Sequence, residues 1–336
     1  MCGATTSHER VELDVYGSWG VDKNQMPDLQ AKIGKLEDNI ASVVLGKRNV
    51  ARLCLVALFS GEHILLEDVP GVGKTLMGKA LAKSINGDFC RLQFTPDLLP
   101  SDITGSLIYH SQNEEFVFHQ GPIFNHFVLA DEINRAPPRT QSALLEAMSD
   151  GQVSVDGKTH SLPQPFMVIA TQNPFEFEGT YVLPESQLDR FLLRVSMGYP
   201  DREVEQQIVE SHRSGEPVEQ LKHVIDGAMV MQLQAAVREV KMESAITQYM
   251  LDVVHATRET PALDVGVSTR GLLLWSRAAQ AAALVEGRNY VIPDDAKGLA
   301  VSVLSHRILL KGQSSEGDRQ ASEAIIGEIL NQIAAP

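Results

Sequence analysis

The stretch HILLEDVPGVGKT (63–75) decides the fold. His63 to Glu67 form a short apolar run that reads as a buried strand, and the glycines after it give way to a helix starting near Lys74. A strand that runs through a glycine-rich turn into a helix N-terminus is the context of a phosphate-binding loop. Gly71 and Gly73 let backbone N–H groups curl around a β-phosphate, with Val69, Pro70, Val72 and Leu76 completing the cradle. Lys74 is placed to reach β- and γ-oxygens, and Thr75 to offer its hydroxyl to Mg²⁺. The pattern GxxxxGK[ST] fails only at its first position, where Asp68 replaces glycine. Asp68 caps the strand and can point its side chain away from phosphate.

Outward from this loop, strands and helices alternate, which predicts an α/β fold with a parallel central sheet wrapped by helices, αβα. HFVLADE (126–132), PFMVIAT (165–171) and FLLRVSM (191–197) read as further buried strands. Upstream, Ile33, Leu36 and Ile40 predict a helix that ends near Gly46, and Val50 to Phe59 a second one stopped by Gly61. GQVSVDGKTHSL (151–162) alternates around Asp156-Gly157 and predicts a hairpin. SLIYHSQNEEFVFHQG (106–121) is a second candidate hairpin. After Gly198-Tyr199-Pro200 the strand signals stop and helical periodicity takes over, so a hinge is expected near 198–201. The expected layout is a mobile arm over 1–30, a nucleotide-binding domain over 31–200 and an all-α domain over 201–336. Within the last, STRGLLLWSRAAQAAALVEG (268–287) opens on a capping Ser268 and closes at Gly287.

Two carboxylates end the strand HFVLADEIN (126–134), and both belong beside the phosphates. Asp131 would hold Mg²⁺ through water, and Glu132 would polarise an attacking water as general base. In TQNP (171–174), Asn173 reads either as part of an Asn-Pro turn or as the residue that aligns that water. LPESQLDRFLLRV (183–195) puts Arg190 at a helix end. There it either pairs with Asp189 on the surface or projects towards the nucleotide of a neighbouring subunit, as an arginine finger in trans. Arg194, inside a strand, is the rival for that role, though a structural part suits its position better. Arg270 stands in the first turn of its helix, against the helix dipole, so either solvent or an anion such as a γ-phosphate surrounds it.

Hydrophobic residues make up 43% and charged residues 21% of the 336, enough apolar content for a sizeable core. The net charge of −14 argues against a generic nucleic-acid motor, whose affinity would come from neutralising phosphates. Cys2, Cys54 and Cys90 match no metal or redox spacing and read as reduced thiols. No apolar leader precedes residue 30, and no run approaches the roughly 18–20 apolar residues of a membrane span, so a cytoplasmic protein is expected.

VVLGKRNV (43–50), LLEDVPGVGKT, RLQFTPDLLPSDITG (91–105), LADEINRAPPRTQSALLEAM (129–148), ATQNPFEFEGTYVLPESQLDRF (170–191), GVSTRG and GRNYVIPDDAKGLAVSVLSHRI (287–308) together resemble the MoxR family of AAA+ ATPases. The resemblance covers residues from about 31 to 310. It implies a P-loop αβα domain followed by a helical lid, with ATP and Mg²⁺ as cofactors. The two hairpins would match the helix-2 and pre-sensor-1 inserts of the clade that includes magnesium chelatase. Asn173 would be sensor 1, Arg190 the arginine finger and Arg270 sensor 2, with Gly46 and the valines before it against the adenine. It also implies a homo-oligomer, hexameric, acting like a chaperone on protein clients together with a partner containing a von Willebrand factor A domain. Ile292 departs from the pattern, standing before Pro293 where relatives place a capping Ser or Thr. Two other readings stand beside this one. Lys158 and His160 in the hairpin give some support to a DNA-translocating ATPase. A non-hydrolysing nucleotide switch is the third reading.

Overall fold

The structure, a computed structural model, describes residues 26–112, 114–173, 179–312 and 319–336. The arm up to residue 25 and positions 174–178 of the motif at 170–191 lie outside the described residues. Two helices, α1 (Met26–Ala41) and α2 (Arg48–Ser60), come first, so α1 takes in the last residues assigned to the arm. Gly61 ends α2 at φ 72°, a conformation that suits glycine, and returns its N–H to the last turn.

The sheet strands are β1 (His63–Glu67), β2 (Phe89–Gln93), β5 (Phe127–Asp131), β8 (Met167–Gln172) and β9 (Phe191–Val195), in the order β2-β5-β8-β1-β9 and all parallel. Four of them are the apolar runs read from sequence; the edge strand β2 was not among them. Between these strands lie α3 (Lys74–Ser84), α4 (Pro100–Thr104), α5 (Pro138–Asp150) and α6 (Glu185–Leu188). Ile64 and Leu66 of β1 join the core shared with α1, α2 and the C-terminal helices, while Leu65 joins a second core with α5. This is strand alternation feeding two layers.

Both hairpins form. β3 (Gly105–His110) pairs with β4 (Glu115–Gln120), and β6 (Gln152–Val155) with β7 (Lys158–Ser161). The β6–β7 turn holds Asp156 at φ 50° and Gly157 at φ 75°, the pair of positive φ values that a tight hairpin needs. Phe118 of β4 stacks on His160 of β7 with centroids 4.1 Å apart, so the two hairpins touch.

The remaining elements are α7 (Arg202–Ser211), α8 (Gly227–Glu239), α9 (Ser244–Glu259), β10 (Leu263–Val265), α10 (Thr269–Val285), α11 (Pro293–Leu304), β11 (Leu309–Leu310) and α12 (Arg319–Gln332). The helical half thus also carries a small antiparallel pair, β10–β11. Ser268 caps α10, its hydroxyl accepting from Gly271 N at 3.0 Å. Ile292 has no side chain with which to cap α11. Instead, the Asp295 carboxylate accepts from the Ile292 N–H at 2.9 Å and offsets part of the deficit.

His63 ties three elements together. Its Nδ1 accepts from the Val168 N–H at 3.0 Å, which leaves Nε2–H to donate to the Met148 carbonyl at 3.1 Å. Burial pushes its pKa down to about 4 from 6.5. The unfolded chain therefore binds a proton between those values that the folded chain refuses. This stability is present above pH 6.5 and is lost as pH falls towards 4, by up to about 3 kcal/mol. His306, also buried and beside Arg307, titrates in the same direction. The denaturation midpoint should fall steeply from pH 7 to 4.5, and less steeply in His63→Gln. Equal slopes would show that His63 is not a source of the dependence.

Candidate active site

The site lies at the C-terminal ends of the strands, where β1, β5 and β8 each run into a functional turn. After β1, Asp68 turns away as expected. Its carboxylate accepts from Gly198 N at 2.5 Å, Ser196 Oγ at 2.8 Å and Val69 N at 3.0 Å. Partial burial opposes its ionisation, but these hydrogen bonds outweigh it and hold the pKa below the usual range. The loop is thereby fastened to the end of β9 by the residue that breaks the glycine pattern. Gly71 and Gly73 adopt φ 85° and 97°, and α3 starts at Lys74 with no side-chain cap on its first turn. That arrangement leaves backbone N–H groups aimed at an anion. Lys74 Nζ is buried and donates to the Asp68 carbonyl at 2.8 Å.

At the end of β5, Asp131 is gripped from both sides. Arg91 of β2 donates to it from Nη2 at 2.6 Å and from Nε at 3.0 Å, and Thr171 Oγ1 from β8 at 2.6 Å. The same Thr171 oxygen accepts the Glu132 N–H at 2.9 Å. Glu132 itself sits at φ 57°, a left-handed conformation a β-substituted residue adopts only under constraint. Its carboxylate accepts from Gln93 Nε2 at 2.7 Å and Arg135 Nη1 at 3.1 Å. Asn173 is buried at the end of β8.

A cleft of about 510 Å³ opens among these elements. Pro70 to Leu76, Asp131, Glu132 and Asn173 all face it. Val43, Val44 and Leu45 form an apolar wall at one end, with Ile208 and Val218. Gly46 is not in the lining. At φ 70° it packs under Val204 of α7, where an added Cβ would lie 3.0 Å from that side chain, so it positions the wall. Val69 is also outside the lining, since it follows the turned-away Asp68. Sequence reasoning missed Arg91, Lys47, Lys79, His212 and Glu216, which also line the cleft.

The three arginines are elsewhere. Phe191 pairs with His63, so Arg190 precedes β9 at the N-terminal edge of the sheet, opposite the cleft. At about 3.3 Å per residue, a strand the length of β1 separates the two edges by about 13 Å. Arg190 donates to the Leu145 carbonyl at 2.6 Å and to the Ser149 hydroxyl, both on α5. Arg270 was read as a nucleotide contact, but it does not line this cleft. Its Nε faces Asp189 Oδ2 at 3.9 Å, because α10 packs with its first turn at that same edge. Arg194 is buried within β9, between Glu67 at 3.8 Å and Ser305 at 3.3 Å, as a structural residue would be.

Comparison with known proteins agrees with the geometry. Residues 63–193 match the ATPase family associated with various cellular activities, and residues 255–329 match the AAA lid domain. The YeaC protein of Bacillus subtilis is 50% identical, the match covering 92% of this chain and 96% of that protein. The chaperone MoxR1 of Mycobacterium tuberculosis is 41% identical over 92% of this chain and 84% of that protein. The crystal structure of an ATPase candidate from Cytophaga hutchinsonii superposes with a TM-score of 0.85 at 37% identity, covering 94% of this chain and 98% of that one.

Proposed function

Since the chain belongs to the MoxR family of AAA+ ATPases, we propose that it hydrolyses Mg²⁺-ATP at sites shared between subunits of a ring, and that the cycle remodels, matures or activates protein clients. It is an ATPase with a nucleotide-binding αβα fold and a helical lid. The observation that carries the shared site is the split described above: phosphate loop, Asp131 and Glu132 at one edge of the sheet, Arg190 and Arg270 at the other.

The residues present fit Mg²⁺. Among the described residues no group of three or more His, Cys, Asp or Glu could cage an ion. The Asp131 carboxylate and the Thr75 hydroxyl share the cleft instead, which suits a cation held chiefly by phosphates and water. When bound there, the ion would neutralise charge on the β- and γ-oxygens. Lys74 would exchange its contact with the Asp68 carbonyl for phosphate oxygens. Glu132 would draw a proton from the attacking water, which Asn173 would hold in line. Arg190 and Arg270 would come from the next subunit to meet the charge that develops on the transferred group.

Lys74→Ala should abolish ATP binding, and with it the nucleotide-driven assembly of rings made of that variant alone. A binding titration checks this, and unchanged affinity would overturn the role given to Lys74.

The chaperone function is supported by the relative named chaperone MoxR1. A hexamer, a partner with a von Willebrand factor A domain and a cytoplasmic setting belong to the same proposal. No helix among the described residues is long and apolar enough to cross a membrane. Capture of clients by an ATP-locked Glu132→Gln ring tests the proposal, and identical captures with and without ATP would count against it. Exposed Lys158 at the β6–β7 turn keeps the DNA-translocase reading in view. With a net charge of −14, DNA should stimulate the ATPase less than about twofold at physiological salt. Strong, salt-sensitive stimulation would put that reading first.

A further inference from the structure

Asp189 stands between two arginines from the C-terminal half. Its Oδ1 accepts from Arg307 Nε at 2.8 Å, and its Oδ2 faces Arg270 Nε at 3.9 Å. The Arg307 side chain is only 1% exposed. Its Nη2 donates to the carbonyls of Phe191 at 2.6 Å and Asp189 at 3.3 Å. Its Nη1 reaches the Leu192 carbonyl at 3.3 Å and also Val303 and His306. One planar fork therefore holds the whole turn from Asp189 to Leu192, the turn that carries Arg190. Burial lowers the Arg307 pKa to about 10, with Asp189 opposing the shift, so the guanidinium remains charged at neutral pH.

We infer that Arg307 is a positioning residue for hydrolysis: through Asp189 and the 189–192 backbone it sets where Arg190 and Arg270 are presented. The inference rests on the shared-site reading, and it adds a residue which touches no nucleotide. A buried ion pair that only stabilised the fold would need no such geometry. Here Arg190, held against α5 by Leu145 and Ser149, is the immediate chain neighbour of Asp189, and Arg270 is its second partner. Lysine cannot replace this fork, because an ammonium offers a point charge and not a planar set of donors.

The test uses Asp189→Asn and Arg307→Lys in the full chain. Each subunit keeps its own cleft, so the KM for ATP should stay within about threefold of the parent while kcat falls by roughly 10–100-fold, as small misplacements of catalytic groups do. Mixing either variant with Lys74→Ala subunits should restore activity. Mixing it with Arg190→Ala subunits should not, because both would lack the same half of the interface. In the residual turnover of Arg190→Ala, adding Arg307→Lys should cost less than it does in the parent, because only the Arg270 part of its effect remains.

An unchanged kcat, or additive losses in the double variant, would overturn the inference. So would loss of activity that Lys74→Ala subunits cannot rescue, in conditions where they do rescue Arg190→Ala subunits. If Arg190→Ala is not rescued either, the shared-site reading itself has failed, and the double variant in uniform rings still decides the positioning role. Should Asp189→Asn not assemble, Arg307→Lys, which keeps the buried charge, carries the same comparisons.

Discussion

Glu132→Gln should bind ATP and Mg²⁺ nearly as the parent does and turn over 10²–10⁴-fold more slowly, the usual weight of a general base. The substitution keeps the size of the side chain and its capacity to accept a hydrogen bond from Gln93, which now meets Glu132 at 2.7 Å. The left-handed turn at Glu132 is held by Thr171 through the backbone N–H, and this is untouched. Asp131, with its grip from Arg91 and Thr171, should likewise stay in place. What is lost is the basic oxygen that takes the proton from water. The measurement is turnover at saturating ATP beside a nucleotide titration. Turnover within about threefold of the parent would remove Glu132 from the role of base and turn attention to how Asn173 orients the water.

Much of this site was legible because its parts stand at the ends of apolar strands. β1, β5 and β8 are fully or nearly fully buried, so their sequences are continuous apolar runs, and the polar residue that follows each run is conspicuous. β2 was illegible for the opposite reason. It is a half-exposed edge strand, FCRLQ, in which Arg91 and Gln93 interrupt the apolar run. Only pairing with β5, some forty residues later in the chain, turns those two side chains onto Asp131 and Glu132. The same holds for α7. It contains no buried residue, yet Ile208 on it and His212 just after it close the cleft. Arg270 shows the limit most clearly. Local periodicity put it in the first turn of α10, where it is, but no local signal says which edge of a distant sheet that turn will meet. α10 packs against α2 and α8, and this tertiary choice carries Arg270 to Asp189 and away from the phosphate loop.

That choice of edge yields the prediction with the largest expected effect. Lys74→Ala and Arg190→Ala should each be inactive alone and should rescue one another when their subunits are mixed. Arg190 precedes β9 at the edge away from its own phosphate loop, and its guanidinium rests on Leu145 and Ser149 of α5. No side-chain rotation carries it across a strand length of about 13 Å and around the sheet. It can act only on a nucleotide that another subunit brings to that face. In a mixed ring, an interface in which an Arg190→Ala subunit supplies the intact Lys74 and a Lys74→Ala subunit supplies the intact Arg190 has every part it needs. Rescue will be partial, because only some interfaces in a random ring have the right order. An arginine finger contributes on the order of 10³-fold or more to phosphoryl transfer, so a minority of repaired interfaces is visible above two dead backgrounds. Specific activity of the parent should also rise with protein concentration and fall on dilution. Co-assembly of the two variants is checked first, by capturing one through a tag and assaying for the other. Mixed rings that form and stay inactive would show that Arg190 does not act in trans. Arg194 would not readily inherit the role, since it is buried between Glu67 and Ser305 within its strand. Arg270, exposed at the same edge, would then be the residue to pair with Lys74→Ala.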